Sequence, residues 1–589
     1  MAIKTARYAG DFETITDPSD VRVWGACLVD IDTSETAFIG NSIESFFDFL
    51  RDRNTVVYFH NLKFDGEYIL SYLLRNGYTY SDSHESGTFE TLITDDGVFY
   101  SITVYFEKKK KKYKKAVFYD SLKKLPFKVS VISKAFELKD QKLKIDYDAP
   151  RPVGHELTAE ERAYIVNDCR IVAQALKIQF DKGLTKMTNA SDALNGYKGI
   201  IGKGFFEKWF PTLPVELDDD IRQAYRGGFT YLTPRFKNKH VKGGITLDVN
   251  SLYPSVMYDR VLPYGYPMYF EGEYEPDERY PIYIQHLKCC FKLKPGHIPT
   301  IQKKGSGRFV ETEYLTSSVD SMGIDEPVEL YLTTPDMVLF LEHYDIFDEE
   351  YINGYKFKGT SGMFKEYIDF WMHIKETTSG AMRQLAKLML NSLYGKFATN
   401  PHARKKIPVM DDFGVVRYEL DAPELRDPVY TAMGAFITAY AREKTIRSAQ
   451  QVYDRFIYAD TDSLHLVGVD IPEGLEVHPT KLGAWKHEGT FIDSKYIRAK
   501  TYIETMIETK KTTTLETYAR IMNRTFDVWR ETAGIKYHDM KVTCAGMPDN
   551  VKEHVTYENF ASGATFDGKL MPRRYPGGIV LRETTFTIK

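Results

Sequence analysis

Asp11 and Glu13 stand two apart in Asp11-Phe12-Glu13-Thr14. In an extended strand, residues i and i+2 share a face, so these two carboxylates converge. Asp65 follows the apolar run Val56 to Phe59 by way of His60-Asn61-Leu62-Lys63-Phe64, and Asp168 comes one helical turn after Tyr164 on the same face. Acids gathered like this repel one another. Hard divalent cations relieve that repulsion, and two of them about 4 Å apart can clamp the attacking and leaving oxygens of a phosphodiester. Tyr164 is then placed to orient an attacking water. Singly, each acid reads as an ordinary exposed carboxylate. The Tyr-x-x-x-Asp spacing in the company of the others is what points to metal-assisted hydrolysis.

A second set lies far apart in the sequence. Ile245, Leu247 and Val249 alternate with Thr246 and Asp248, the pattern of a half-buried strand with Asp248 on its open face. Phe456 to Tyr458 and Leu464 to Val467 flank Ala459-Asp460-Thr461-Asp462-Ser463, a hairpin with acids at its tip. If that hairpin pairs beside the first strand, Asp248 and Asp462 can share two Mg²⁺ ions that activate a hydroxyl and hold a triphosphate. Between them Arg383, Lys387, Asn391 and Tyr394 recur along one helix face, opposite Leu385, Leu388 and Met389. Cations there suit β and γ phosphates. Tyr394 and Gly395 suit a base pair lying flat on the helix.

The elements that must position these groups are legible in outline. Over the first ~190 residues, strands alternate with helices. Tyr8 to Thr14 and Val56 to Phe59 read as strands, Ile43-Phe46-Phe47-Leu50 marks an amphipathic helix, and Gly77 can end the helix that starts after His60. Thr158 with Glu161 forms a capping box ahead of a long helix to about Phe180, whose buried stripe is Ile165, Cys169, Val172 and Leu176. Later stretches such as Pro263 to Pro281 and Pro295 to Gly307 are irregular and read as insertions or small β-rich subdomains. The run Lys108 to Lys112, extended by Lys114 and Lys115, reads as a solvated hairpin tip, with contact to a DNA backbone as the sharper alternative.

With 589 residues and roughly 150 per domain, about four units are expected. The chain is 43% hydrophobic with 78 Lys and Arg against 82 Asp and Glu, a net charge of −4. A uniformly basic coat is excluded, so any polyanion site must rest on local clusters. Five cysteines (Cys27, Cys169, Cys289, Cys290, Cys544) with no Cys-x-x-Cys pair argue against a disulfide framework or structural zinc and fit a reducing compartment. No apolar run reaches the roughly 18 residues of a membrane helix, so a soluble cytoplasmic protein is expected.

Three segments, Asp11-x-Glu13, Asn61-Leu62-Lys63-Phe64-Asp65 and Tyr164-x-x-x-Asp168, resemble the exonuclease motifs of proofreading family B DNA polymerases. Asp248-x-x-Ser251-Leu252-Tyr253-Pro254, Lys387-x-x-x-Asn391-Ser392-x-Tyr394-Gly395 and Tyr458-x-Asp460-Thr461-Asp462-Ser463 resemble its polymerase motifs, in order. Tyr225-Arg226-Gly227-Gly228, Thr438-x-x-Ala441-Arg442 and Lys500-Thr501-Tyr502 match further segments. Ser121 to Phe127, Gln384 to Phe397 and the end Thr585 to Lys589 resemble the small protein-primed polymerases of Bacillus-infecting tailed phages.

The resemblance implies an α/β and α+β multidomain chain: an RNase H-like 3′→5′ exonuclease domain (1–188), then a right-hand polymerase. Its palm would span 189–259 and 426–540, its fingers 362–397 and its thumb 541–589. Terminal-protein regions would be inserted at 260–361 and 398–425; the 122 positions from Tyr253 to Lys375 and the 66 from Tyr394 to Asp460 leave room for them. It further implies two Mg²⁺ or Mn²⁺ at each site, held by Asp11, Glu13, Asp65 and Asp168 in one, and by Asp248, Val249 and Asp462 in the other. Lys142 falls where the protein-primed members carry a catalytic lysine. Thr14, His60, Asn61, Phe64, Ser121 and Leu122 would hold a frayed primer end. Tyr253, Lys375, Arg383, Lys387, Asn391 and Tyr394 would contact the incoming dNTP, with Tyr253 excluding a ribose hydroxyl. Tyr225 to Gly228, Ser251, Thr438, Arg442, Lys500 and Tyr502 would contact template-primer DNA.

The implied partners are DNA and a terminal protein that supplies the priming hydroxyl, and the implied behaviour is processive and strand-displacing. Ala459 departs from the Gly or Cys common in its motif, Arg383 stands where the phage relatives often have Lys, and Ile503 to Met540 is longer than expected and polar. A nuclease whose remaining two-thirds only grips DNA and a DNA-binding replication scaffold are the rival readings. The first predicts no nucleotide incorporation, the second no metal-dependent turnover.

Overall fold

In the computed structural model, residues 5–109, 112–303, 313–507 and 540–589 are described. The first unit is an eight-stranded sheet. Its centre is the strand Ala6–Thr14, parallel to Thr55–Phe59 on one side and antiparallel to Val23–Asp30 on the other. Thr55–Phe59 is in turn parallel to Lys112–Asp120. The helices Leu62–Arg75 and Ala159–Asp181 carry Asp65 and Asp168 towards the same strand. At Thr158 both halves of the capping box form, which fixes where the second helix starts. Gly25 lies opposite Glu13, and a Cβ there would stand 2.6 Å from the Ile165 side chain, so only glycine lets this helix approach the sheet.

A seven-stranded antiparallel sheet forms the second unit, in the order Lys541–Cys544, Thr501–Ile507, Trp485–Arg498, His240–Val249, Ser463–Val467, Phe456–Asp460, Thr230–Leu232. The expected half-buried strand at Asp248 is in fact central: Ile245, Leu247 and Val249 are buried, and so is Thr246 on the other face. The long helices Gly380–Phe397 and Thr431–Gln451 pack on each other. The Gly380–Phe397 helix packs on Lys365–Thr377 and Asn189–Ile201 as well.

Of the two readings for the stretch after Pro263, the β-rich one matches: Leu262–Glu271 is a strand at one edge of a four-stranded antiparallel sheet with Tyr344–Thr360, Ile282–Leu293 and Val328–Thr333. Pro263 and Pro267 are tolerated because an edge strand leaves half its N–H groups unused, and the register shifts between Tyr264 and Met268. Pro295 to Gly307 lies partly outside the described residues, and Ile503 to Met540 mostly so. The lysine-rich run sits at the turn where Lys109 pairs with Lys112, with residues 110 and 111 outside the described set.

Short hairpins come next at Lys406–Met410 with Val416–Leu420, and at Thr565–Tyr575 with Gly578–Thr587. A buried Lys124–Asp192 ion pair, with Gln179 and Asn189 amides on the Lys124 carbonyl, ties the first unit to the helix Asn189–Ile201. All five cysteines are buried and free. Among the described residues no helix is long and apolar enough to cross a membrane.

Candidate active sites: two carboxylate pockets

The first pocket, about 570 Å³, is lined by Asp11, Glu13, Thr14, Phe64, Lys142, Tyr147, Tyr164 and Asp168, and by Leu570, Ile579, Val580 and Leu581 of the C-terminal hairpin. Burial lifts the Asp11 carboxyl to about 7, with the Asp168 charge adding to it. Glu13 and Asp65 are held well above the carboxylate range by burial and then by Asp11. Asp168 is raised by burial while Lys142, 2.5 Å from its Oδ2, pulls it down. One oxygen each of Asp65 and Asp168 is buried without a hydrogen-bond partner. Buried, mutually repelling carboxylates with orphaned oxygens are a hard-cation donor set. Among the described residues, however, no three acidic, His or Cys side chains are already closed into a cage.

The face of Tyr164 and Asp168 is covered, with Tyr164 only 2% exposed. Its hydroxyl meets that of Tyr147 at 2.6 Å, and the Lys142 ammonium lies 5.4 Å over its ring. Nothing in helical spacing foretold the segment carrying Lys142 and Tyr147 over this face. The expected primer-end ligands group nearby by way of Asp120, which sequence reasoning missed. Its Oδ1 accepts from the backbone N–H of Asn61, Leu62 and Leu122, tying the left-handed turn at Asn61 (φ 75°) to the turn at Ser121. His60 bridges Ser121 Oγ at 2.9 Å and the Phe127 carbonyl at 2.8 Å, and burial keeps it neutral.

In the second site, Asp248 pairs in register with Ser463, and the Val249 N–H donates to the Asp462 carbonyl at 2.8 Å. The sheet thus sets the two aspartates side by side. Burial raises Asp248 to about 7, the charges of Asp462 and Glu488 adding to it. The adjoining cavity of about 460 Å³ is lined by Asp248, Val249, Ser251, Lys375, Arg383, Lys387, Lys486 and Glu488 among others. Lys375 donates to Ser251 Oγ at 2.8 Å, and Arg383 to the Lys375 carbonyl at 2.6 Å. Burial, then the charges of Lys387 and Arg383, lower the Lys375 ammonium. Four cations (Lys375, Arg383, Lys387 and Lys486) crowd one cavity beside Asp248 and Glu488, an arrangement that suits a polyphosphate. Tyr253 stacks on Tyr394 with centroids 4.0 Å apart, and Asn391 is exposed on the same helix.

Over residues 48–158 and 145–477 the sequence matches the family described as DNA polymerase type B, organellar and viral. This chain is a family B DNA polymerase. It is 48% identical to the DNA polymerase of Bacillus phage phi29 over 586 residues, and 35% identical to that of Streptococcus phage Cp-1 over 606, with 99% of each chain covered in both cases. It superposes on phi29 DNA polymerase complexed with primer-template DNA and incoming nucleotide substrates with a TM-score of 0.91 at 47% identity, covering 100% of both chains. The same values hold for phi29 DNA polymerase complexed with single-stranded DNA. Deoxynucleoside triphosphates and divalent metal are what such an enzyme uses.

In this polymerase, two of the expected DNA contacts, Thr438 and Arg442, are buried. Thr438 is 1% exposed and its hydroxyl bonds back to the Gly434 carbonyl. Arg442, 4% exposed, grips the Asp336 carboxylate and donates to the carbonyls of Arg226 and Gly227 at 2.9 Å. A motif on a helix does not say which way its cation turns; here it turns inward and supports the Tyr225–Gly228 loop from behind. Lys500 (φ 56°) is exposed, 3.2 Å from Asp460, and its N–H donates to the Tyr458 hydroxyl. Tyr502 is largely buried against the Tyr458 and Tyr496 rings. Glu488 and Lys486 were not foreseen, since they reach the site only through strand pairing with Asp248.

Gly228 backs the catalytic hairpin directly. A Cβ there would lie 2.5 Å from Thr461 Oγ1 and 2.9 Å from Thr461 Cβ, and Thr461, between the two hairpin aspartates, is itself left-handed at φ 62°. Gly228→Ala is expected to lower the rate of nucleotide addition at least tenfold by displacing Asp462, on the order of an ångström's misplacement. Gly227→Ala, whose Cβ meets open space, is expected to lose several-fold less. Single-turnover incorporation measures both; equal rates in the two variants would contradict the assignment.

Proposed function

We propose that the chain is a protein-primed replicative polymerase, phage-encoded and acting in the host cytoplasm, with a 3′→5′ proofreading exonuclease. The observation that carries the second activity is the first carboxylate pocket, which shares no lining residue with the dNTP cavity. Asp11, Glu13, Asp65 and Asp168 would hold two Mg²⁺ or Mn²⁺ ions there, and Asp248, Asp462 and the Val249 carbonyl two more. Bound at either site, such ions supply charge neutralisation of the phosphate and activation of the attacking oxygen.

The residues do the rest. Lys375, Arg383 and Lys387 bind the β and γ phosphates and stabilise the pyrophosphate that leaves when the primer 3′-oxygen attacks the α phosphorus. Tyr394 and Asn391 carry the base pair, and the Tyr253 ring stands where a ribose 2′-hydroxyl would project. Lys500 is exposed beside Asp460 and suits a primer phosphate. The Tyr225–Gly228 loop and Ser251 face the template side. In the exonuclease pocket, Tyr164 with Tyr147 orients water, and Lys142 neutralises the phosphate beside Asp168. Thr14, His60, Asn61, Phe64, Ser121 and Leu122 seat the frayed end. The boundaries 1–188 for the exonuclease, 189–259 and 426–540 for the palm, 362–397 for the fingers and 541–589 for the thumb belong to this reading, although the strand Lys541–Cys544 pairs within the seven-stranded sheet. The separate four-stranded sheet within 260–361 suits docking of a terminal protein, and the 398–425 hairpins suit enclosure of DNA.

On one labelled primer-template, Asp248→Asn and Asp462→Asn are expected to lose extension by at least 10³-fold while still degrading single strands; Asp11→Asn and Asp65→Asn are expected to do the converse. Joint loss of both activities in a folded variant would refute separate sites. Incubation with the cognate terminal protein and labelled dNTP is expected to label that protein. No label with active polymerase would refute protein priming.

A further inference from the structure

Beside the first pocket lies a basic one to which none of the roles above assigns a residue. A cavity of about 450 Å³ is lined by Arg417, Pro572, Arg573, Arg574, Tyr575 and Arg582. A second cavity of about 400 Å³ shares Arg417 and Arg574 with it and adds Lys63 and Lys406. These cations come from the first unit, the 406–420 hairpin and the C-terminal hairpin, so folding alone assembles them. Their own carboxylates are too few. Glu67 takes Arg574 and Asp411 takes Arg417, each at 2.8 Å, and Asp96 lines the second cavity. Among the described residues, Arg573, Arg582, Lys63 and Lys406 have no carboxylate within salt-bridge distance. The Lys63 and Lys406 ammoniums each come within 3.7 Å of the point where a Gly97 Cβ would stand. Asp17 faces Arg582 and Glu67 faces Lys63 at longer range, so the cations still outnumber the acids among them, and such an excess costs free energy unless an anion lies between them.

The position of this cluster indicates which anion. Leu581 lines the carboxylate pocket and Arg582, one residue on, lines the basic cavity. Likewise Phe64 lines the carboxylate pocket and its neighbour Lys63 the second basic cavity. Each basic cavity therefore adjoins the carboxylate pocket at one point of the chain. A strand leaving the carboxylate pocket past Leu581 and Phe64 meets guanidinium and ammonium groups next, and these pair with phosphodiester oxygens.

We propose that this arginine-lined pocket seats backbone phosphates of single-stranded DNA a few nucleotides upstream of the 3′ end held by the carboxylates. The inference rests on the exonuclease reading, and Arg574, tied to Glu67 and set 4.7 Å over the Tyr418 ring, anchors the wall rather than the ligand. Arg573 and Arg582 are exposed and unpaired, so their replacement leaves the fold intact.

The test is fluorescence anisotropy of labelled oligothymidylates of about 3 and about 15 nucleotides, in an Asp11→Asn/Asp65→Asn background with and without Arg573→Ala/Arg582→Ala. The longer strand is expected to bind about tenfold more weakly without the arginines. Its log Kd against log salt slope is expected to fall by about 1.4, two phosphate contacts at about 0.7 each on a single strand. The short one, too short to reach the pocket, is expected to bind unchanged. Equal affinity and slope for the 15-mer with and without the arginines would overturn the proposal; so would equal weakening of both lengths, which would place the arginines at the carboxylates. Hydrolysis of the trinucleotide by the otherwise wild-type protein reports separately on the exonuclease. Its absence alongside an arginine-dependent slope would refute that reading and leave the phosphate seat standing.

Discussion

Like charges held together against their repulsion are the constraint on which the rest of this molecule depends. In each site a sheet does the holding. The antiparallel pairing of His240–Val249 with Ser463–Val467 fixes Asp248 beside Asp462 through backbone hydrogen bonds that neither carboxylate can loosen. Burial, with the charges of Asp462 and Glu488, raises Asp248 to about 7, so keeping it charged there costs free energy. Folding supplies that energy from the apolar faces of the same strands, buried above and below the acids. A site so prepared is ready for cations and phosphates, the partners that remove its own penalty.

The two pockets are made differently, and that difference suits different chemistry. The Asp248–Asp462 site is open to a cavity whose other wall is cationic, so a triphosphate can enter with its charge met on both sides. The Asp11 site is closed over by elements distant in sequence, the Lys142–Tyr147 segment and the apolar edge of the C-terminal hairpin. The Tyr68 hydroxyl bonded to the Ile579 carbonyl and the Glu67–Arg574 ion pair fix that hairpin to the helix bearing Asp65, so the cover is set by the element it covers.

Local patterns singled out the carboxylates and cations that the fold brings together. The i, i+2 acids, the Tyr-x-x-x-Asp turn, the capping box at Thr158 and the basic stripe of Gly380–Phe397 all arise from periodicities of strand and helix, and all stand where those periodicities put them. What periodicity could not carry was direction relative to the rest of the fold. Arg442 has helical spacing compatible with an outward cation, yet Asp336, more than a hundred positions away, turns it inward. Asp120, Lys486 and Glu488 join their sites through strand pairing alone. Proline-rich Leu262–Glu271 was legible as an insertion or a small β-rich subdomain, but its place at a sheet edge was not, because that depends on the sheet order.

Calorimetric titration of Mn²⁺ into the full chain tests most directly whether two independent carboxylate sets exist. Wild type should take up cations in two separable sets, with Asp11→Asn/Asp65→Asn missing one and Asp248→Asn/Asp462→Asn missing the other. A single set, abolished by either pair of substitutions or untouched by both, would contradict the account.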